Sequence, residues 1–385
     1  MNKICIITGR YPTEVDPTAL TFVQQLAWAM ADQGKDISVI CPLPVNINKK
    51  FNNIPDVSCE YTYLKNKVCL YFPKYFSFGQ QNIGFMNTAG MTTALFYKAV
   101  SRVVSKMEEL PDVFYGHFIT PSGLVACKLG RKYNIPSYIA YGESSTWSID
   151  HIGRKKVKKE ISDVSGIVSV STKNKNELVD VGVAQPEKIK VFSNGYISSR
   201  FSPKNKLESR KFFGLPEDAF IVSFVGHFIE RKGICVLQDA VNTLDDTFLI
   251  CAGKGSLKPT GAKVLYANPV EPDELSMFYS ASDVFVLPTL NEGCCNAIIE
   301  AMACGLPIIS SDLSFNDDIL DESNSLRIDP KDVDAVADAI KSLRDNTELR
   351  NRLAAGSLEK AKGLTLEKRA ENIIKFMDEM VSRSK

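Results

Sequence analysis

Short apolar runs, many of them β-branched and bounded by Gly, Pro, Asn or Asp, recur along the chain. Between them lie stretches whose apolar positions repeat every three to four residues. This alternation predicts buried parallel strands joined by helices. Ile4 to Thr8 reads as the first strand. In the loop that follows, Asp16 and Pro17 predict an N-cap and a first helical position. Leu20, Val23, Leu26, Ala27 and Met30 continue as a helical stripe that stops at Gly34. Ile37 to Cys41, Asp112 to Phe118, Pro136 to Gly142, Gly166 to Ser171 and Ile189 to Phe192 read as further strands, with a helix from Ser122 to Tyr133. A second series begins with the strand Phe220 to Val225 and a helix from Ile234 to Leu244. It continues with strands Phe248 to Cys251 and Lys263 to Ala267 and a helix from Asp273 to Ala281. Beyond the strand Ser325 to Ile328, helices begin near Asp332 and Thr347. The last segment carries Leu366, Ala370, Ile373, Met377 and Val381 on one side.

Within the second series, Asp283 to Ser310 reads as strand, loop, helix, strand. Val284 to Leu287 is an apolar run that Pro288 ends, because proline cannot donate to a ladder. From Asn296, the positions Ile298, Ile299, Met302 and Ala303 recur at helical spacing; Gly305 and Pro307 stop the helix. The polar loop Asn291 to Cys295 therefore feeds a helix N-terminus, where free N–H groups and the positive dipole end favour a phosphate or diphosphate. Gly293 permits close approach to the backbone. An acidic group beside an anion site repels phosphate, so Glu292 and Glu300 suit hydroxyl donors instead. Diphosphate plus hydroxyls describes a nucleotide sugar. Taken singly, the two glutamates also fit a solvated loop and an exposed helix face.

A chain of 385 residues exceeds the size at which one core usually keeps growing, so two domains are expected. With 46 basic against 45 acidic residues, it lacks the strong positive charge of a dedicated nucleic-acid binder. Its ten cysteines are scattered without a Cys-x-x-Cys pair, which predicts buried free thiols in a reducing cytosol and no zinc site. The opening apolar run is too short for a signal peptide, and no stretch has the length of a membrane-spanning helix. The expected location is cytoplasmic.

Tyr61 to Met107 contains no Asp or Glu, yet it interleaves Lys65, Lys67, Lys74, Lys98, Arg102 and Lys106 with many aromatics, Tyr71, Phe76, Phe78, Phe85 and Tyr97 among them. That pattern suits peripheral contact with an anionic membrane at its inner face, or a lipid-linked acceptor; it equally suits a helix and loop packed on the sheet with a solvated basic face. The cationic run Arg154 to Lys159 has the same two explanations. His117 and the run Tyr141 to Ser144 fall at strand ends, the rim where open α/β sheets bind ligands. Gly253-Lys254-Gly255 follows a strand, but the third glycine of a dinucleotide fingerprint is missing, which makes a nicotinamide-dependent dehydrogenase remote. The Asp-x-Asp at Asp332 to Asp334 stands at a helix start, where capping explains it. No metal site is expected.

The pattern Glu-Gly-(six residues)-Glu-Ala-Met-Ala-Cys-Gly-Leu-Pro at Glu292 to Pro307 resembles the donor-site signature of retaining glycosyltransferase family 4, the glycosyl transferases group 1. The resemblance implies an α/β, GT-B fold: two Rossmann-like domains facing a cleft, with a C-terminal helix crossing back to the first domain. Ser193-Asn194-Gly195-Tyr196 resembles the family's linker, which places an acceptor-binding domain at residues 1–195, a donor-binding domain at 196–365 and the returning helix at 366–385. By the same resemblance, Glu300 holds the ribose hydroxyls and Glu292 contacts the donor sugar. The backbone of Gly293, Cys294, Cys295 and Asn296 holds the diphosphate and sugar, Arg231 and Lys232 neutralise the diphosphate, Gly226 and His227 belong to the same loop, and Gly253 and Lys254 border the nucleobase. His117 joins the catalytic set as a strand-end residue. The chain departs from the family at Thr18-Ala19 (often Gly-Gly), Tyr141 (often His), His227 (Arg) and Cys294-Cys295 (often Phe and Gly). The implied activity is metal-independent transfer of a sugar, with retention, from a nucleotide-diphosphate donor to a saccharide or lipid-linked acceptor in cell-surface polysaccharide or glycolipid synthesis. A sugar-nucleotide epimerase or hydrolase of the same fold and a non-catalytic nucleotide-sugar binding protein are the alternatives.

Overall fold

The computed structural model describes residues 1–79, 82–83 and 86–383. The chain divides into two compact units, Met1–Phe192 with Ala370–Lys385, and Ser193–Arg369.

The first unit is built on an eight-stranded sheet in the order Ile189–Val191, Gly166–Ser169, Ser137–Tyr141, Val113–His117, Lys3–Ile7, Asp36–Ile40, Lys67–Tyr71, Val57–Tyr61. The opening strand is central, with all five residues but Lys3 buried, and the chain winds outward from it on both sides. Its junction with Val113–His117 is a topological switch point, where the loops after Ile7 and His117 diverge. The outermost pair, Val57–Tyr61 on Lys67–Tyr71, is antiparallel, unlike the rest of the sheet. Sequence reading did not separate these two strands from the basic aromatic tract. Their alternation is real, with Val68 and Leu70 inward, but it is short and interrupted by a turn at Lys65 with φ +67°.

The aromatic tract itself splits. Phe72 and Phe96 are buried in the core, whereas Tyr61, Tyr63, Phe76 and Phe78 are exposed. Phe85 lies outside the described residues, as does the side chain of Val381. The cationic run forms a short helix, Arg154–Glu160, whose Val157 is buried and whose lysines face solvent.

The expected N-cap at Asp16 is not formed. Its carboxylate is taken by Arg10 at 2.5 Å, and the helix Thr21–Asp32 begins five residues later behind Leu20, which caps it with no side-chain bond. Asp16 instead belongs to a turn that bridges to Thr13.

The helix Leu366–Arg383 passes into the first unit from Ala370 onward. Ala370, Ile373, Phe376 and Met377 are buried. Phe376 meets the rings of Tyr138 at 5.9 Å and Phe192 at 6.1 Å, and the Tyr138 hydroxyl donates to the Met377 carbonyl at 3.1 Å. Gly166 makes this packing possible, because a Cβ there would fall 2.5 Å from the Phe376 ring.

The second unit is a six-stranded parallel sheet in the order Val264–Asn268, Thr247–Ala252, Phe220–Val225, Val284–Leu287, Ile308–Ser311, Ser325–Ile328. Numbered along the chain this is 3-2-1-4-5-6, the doubly wound arrangement. Val284–Leu287 is buried throughout, as its unbroken apolar run requires. Its switch point lies between Phe220–Val225 and Val284–Leu287, so the loops that leave those two strands open at one edge. Asp332 accepts from the Ala335 N–H at 3.0 Å and caps the helix Val333–Asp345. No described helix is long and apolar enough to cross a membrane.

Candidate active site

The two loops at the switch point of the second unit are locked together by glycine. The first runs from Gly226 through the turn Glu230–Lys232 to Gly233, whose φ of +72° precedes the helix Ile234–Asn242. A Cβ at Gly233 would collide with the Pro288 carbonyl, so the turn can press against the end of the strand Val284–Leu287. The Leu290 N–H donates to the Arg231 carbonyl at 2.8 Å and fastens the second loop to the first.

This contact sets two cations against one carboxylate. Lys232 Nζ lies 2.5 Å and Arg231 Nη1 3.1 Å from Glu292 Oε1, and the Thr289 hydroxyl is 2.9 Å from the same oxygen. Arg231 also donates to the Asn291 carbonyl. The Lys232 and Glu292 side chains are each 13 % exposed, so the pair acts through poorly screening surroundings. Arg231 is 40 % exposed, which leaves its guanidinium accessible. Cations just ahead of a helix are unfavourable without an anion nearby. Here the anion is Glu292.

The helix Asn296–Ala303 starts beside this cluster. Cys295 occupies its N-cap without a side-chain cap bond, and no acidic residue stands in the first turn. The first turn of this helix therefore has no oxygen-bearing side chain as its cap. Burial pushes the thiols of Cys294 and Cys295 up to about 12 and about 11, so neither is a thiolate at neutral pH. The loop is braced from behind by Asn194, which sequence reading treated as a linker residue. Its amide donates to the Cys294 carbonyl at 3.1 Å and to Asn296 Oδ1 at 2.8 Å. No local sequence signal points to this role, because the partners lie about a hundred residues apart.

Glu300 sits one turn further along, half-buried, and accepts from the Tyr279 hydroxyl at 3.0 Å. Loss of water around the carboxyl raises it to about 7, against the lowering influence of Tyr279 and Arg200. It is neither a solvated nor an exposed helix residue.

On the other side, Gly253 and Gly255 bring the loop after Thr247–Ala252 against the first loop, since a Cβ at either would strike the carbonyls of Gly226 and Phe228. The Phe228 N–H donates to the Lys254 carbonyl at 2.9 Å. His227 and Lys254 have exposed side chains at this rim. The residues Gly226, His227, Arg231, Lys232, Glu292 to Asn296, Gly253, Lys254 and Glu300 thus all belong to the second unit's switch-point edge. His117 belongs to the first unit. It ends the strand Val113–His117, is 3 % exposed, and packs edge-on to Tyr115 at 4.9 Å, just before Phe118 with φ +67°. Among the described residues no group of three or more His, Cys, Asp or Glu gathers as a metal site.

Two doubly wound α/β units built on mainly parallel sheets are the architecture of GT-B structures. Residues 219–346 match the family model of glycosyl transferases group 1. The chain is 28 % identical, over 88 % of each sequence, to the putative teichuronic acid biosynthesis glycosyltransferase TuaC of Bacillus subtilis. It is 25 % identical to a D-inositol 3-phosphate glycosyltransferase of Corynebacterium diphtheriae, over 68 % of this chain and 69 % of that one. Among solved structures it resembles sucrose-phosphate synthase of Thermosynechococcus elongatus (TM-score 0.78, 20 % identity, the whole of both chains). HepE of Anabaena in complex with UDP has TM-score 0.75 and 13 % identity over 98 % of this chain and 100 % of that one. The protein is a glycosyltransferase.

Proposed function

We propose that the protein is a retaining glycosyltransferase that works without a metal, moving a sugar from a nucleotide-diphosphate donor to a saccharide or lipid-linked acceptor for cell-surface polysaccharide or glycolipid synthesis. The observation that carries this reading is the pairing of Lys232 and Arg231 with Glu292 beside the uncapped N-terminus of Asn296–Ala303. The difficult event is departure of the nucleoside diphosphate, which leaves an oxocarbenium-like sugar. Two preset cations and a helix N-terminus stabilise the growing negative charge without rearranging at the moment of reaction. Glu292 balances the two cations, and a sugar hydroxyl of the donor would be its hydrogen-bond donor. Held by Lys232, Arg231 and Thr289, its carboxylate is a poor nucleophile. That favours attack by the acceptor hydroxyl on the leaving-group side, with the diphosphate taking the proton.

The similar HepE structures are complexes with UDP and UDP-glucose, and TuaC is named for teichuronic acid biosynthesis. Both agree with a nucleotide-sugar donor and a polysaccharide product. In the first unit, the exposed Phe76, Phe78, Met91 and Trp147 and the exposed lysines of Arg154–Glu160 supply apolar and cationic groups for peripheral contact with an anionic membrane on its cytoplasmic face.

Thermal unfolding with uridine, adenosine and guanosine diphosphates and their sugars, with and without chelator, tests the donor site. A ligand bound by the folded state alone raises the melting temperature. One nucleotide family should raise it, equally with chelator present, and Lys232→Ala should abolish most of the shift and lower turnover about 100-fold. A shift that chelator removes would sink the metal-free reading; no shift with any nucleotide would sink the donor site.

A further inference from the structure

Tyr279 lies in the short helix Leu275–Ser280, outside every loop of the switch-point edge, and is completely buried. A buried tyrosine hydroxyl needs a partner, and this one finds Glu300 Oε2 at 3.0 Å. Its ring is fixed edge-on against Phe285, at 5.7 Å, and Phe201, at 6.2 Å. Phe285 belongs to the central strand Val284–Leu287, so the hydroxyl's position is set by the core of the sheet. Glu300 Oε1 has no hydrogen-bond donor among the described residues. One oxygen of the carboxylate is thus held from inside, and the other accepts no hydrogen bond from a described residue.

We propose that Tyr279 is a positioning residue for donor recognition: by holding Oε2 it aims Oε1 of Glu300 at the vicinal hydroxyls of the donor's ribose. This rests on the reading that Glu300 receives the ribose. A diol donates to a carboxylate that is ionised and correctly turned, and Tyr279 serves both needs. Its hydrogen bond favours the charged form, against the desolvation that raises the carboxyl to about 7. The charged and titratable groups around the pair are few. Arg200 also lowers the Glu300 carboxyl and is itself paired with Asp273 at 3.2 Å. Cys304 and Cys295 flank Tyr279, and burial keeps both thiols neutral. Glu300 is therefore the group that titrates near neutrality, and ribose recognition should strengthen as the pH rises through about 7.

The test measures affinity for uridine, adenosine and guanosine diphosphates and for their 2′,3′-dideoxy counterparts, from pH 6 to pH 8.5, in the parent, Glu300→Gln and Tyr279→Phe. Phenylalanine keeps the ring contacts, and a melting curve checks that the fold is intact. In the parent, preference for the ribose form should grow with pH; Glu300→Gln should lose both the preference and its pH dependence. Tyr279→Phe should bind the ribose form about tenfold more weakly at pH 7, as expected for a lost hydrogen bond to a charged group. Its pH midpoint should move upward, while the dideoxy affinity stays unchanged. A merely structural role would weaken both ligands alike and leave the midpoint in place. If Glu300→Gln loses the preference but Tyr279→Phe keeps the parent's profile, the positioning role is overturned and the ribose reading stands. If Glu300→Gln keeps the preference, or no nucleotide binds the parent, the ribose reading falls and the positioning role with it. Should Tyr279→Phe fail to fold, a pH-independent preference in the parent alone would overturn the proposal.

Discussion

Glu143 follows the strand Ser137–Tyr141 and is half-buried, with the Ser148 hydroxyl donating to its Oε2 at 2.6 Å. Nearby, Asn174 donates to the Glu143 backbone carbonyl at 2.8 Å and to Glu177 Oε2 at 3.0 Å, and Lys173 pairs with Glu177 at 3.0 Å. Desolvation raises Glu143 to about 7; Glu177 adds to the rise and Ser148 opposes it. The folded chain thus holds a proton that the unfolded chain, at an ordinary carboxyl value of 4.5, has released. Stability from this group is complete below the unfolded value and is lost as pH climbs through the folded one. Glu143→Gln, whose amide oxygen can still accept from Ser148, should therefore match the parent near pH 4.5 and be more stable at pH 8. The gain should be about 1–2 kcal/mol, a figure reduced from the full linkage value because the carboxyl is partly exposed. Urea titrations at the two pH values measure it. Equal destabilisation at both would show that the carboxylate is needed in its charged form.

The loops that carry the candidate chemistry owe their positions to backbone packing. Gly233 has φ +72° and leaves no room for a Cβ beside the Pro288 carbonyl, so Gly233→Ala meets conformational strain and a collision together. It should cost about 2–3 kcal/mol. It should also push the turn Glu230–Lys232 away from Pro288, so that Lys232 no longer meets Glu292 and nucleotide protection against melting is lost. A variant with the parent's melting temperature and nucleotide response would show that the turn is not anchored there. At this scale much was legible. Phe220–Val225, Val284–Leu287 and Ser325–Ile328 have the bounds read from the sequence, most plainly Val284–Leu287, which is buried on both faces and writes itself as unbroken hydrophobicity. The helix from Asn296 begins at its predicted residue, since loop, glycine and proline all punctuate it locally. The edge strands Val57–Tyr61 and Lys67–Tyr71 were not legible. Their outer faces are solvated, and nothing local separates such a hairpin from a polar loop.

Over the whole molecule the formal net charge is +1, so attraction to an anionic surface must come from local patches. The exposed lysines of Arg154–Glu160, together with Lys98 and Arg102 on the helix Ala89–Val104, are such patches in the first unit. Flotation with vesicles containing phosphatidylglycerol should recover the protein at low salt and release it at high salt. Replacing Lys155 and Lys159 by Glu should weaken recovery at least tenfold, taking about 1 kcal/mol per lysine near such a surface. Equal recovery with neutral phosphatidylcholine vesicles would remove the electrostatic reading. The sequence by itself determined the alternation of strands and helices, the division into two Rossmann-like halves and the glycosyltransferase-like pattern at Glu292 to Pro307, because each is written in residues close together along the chain. Tertiary structure alone decided that Glu292 is the anion facing Lys232 and Arg231, that Asn194 braces the loop of Cys294 and Asn296, and that Tyr279 holds Glu300. Those partners stand tens to about a hundred residues apart. They meet because the sheet returns to its switch point, and no local pattern encodes which side chains a crossover brings together.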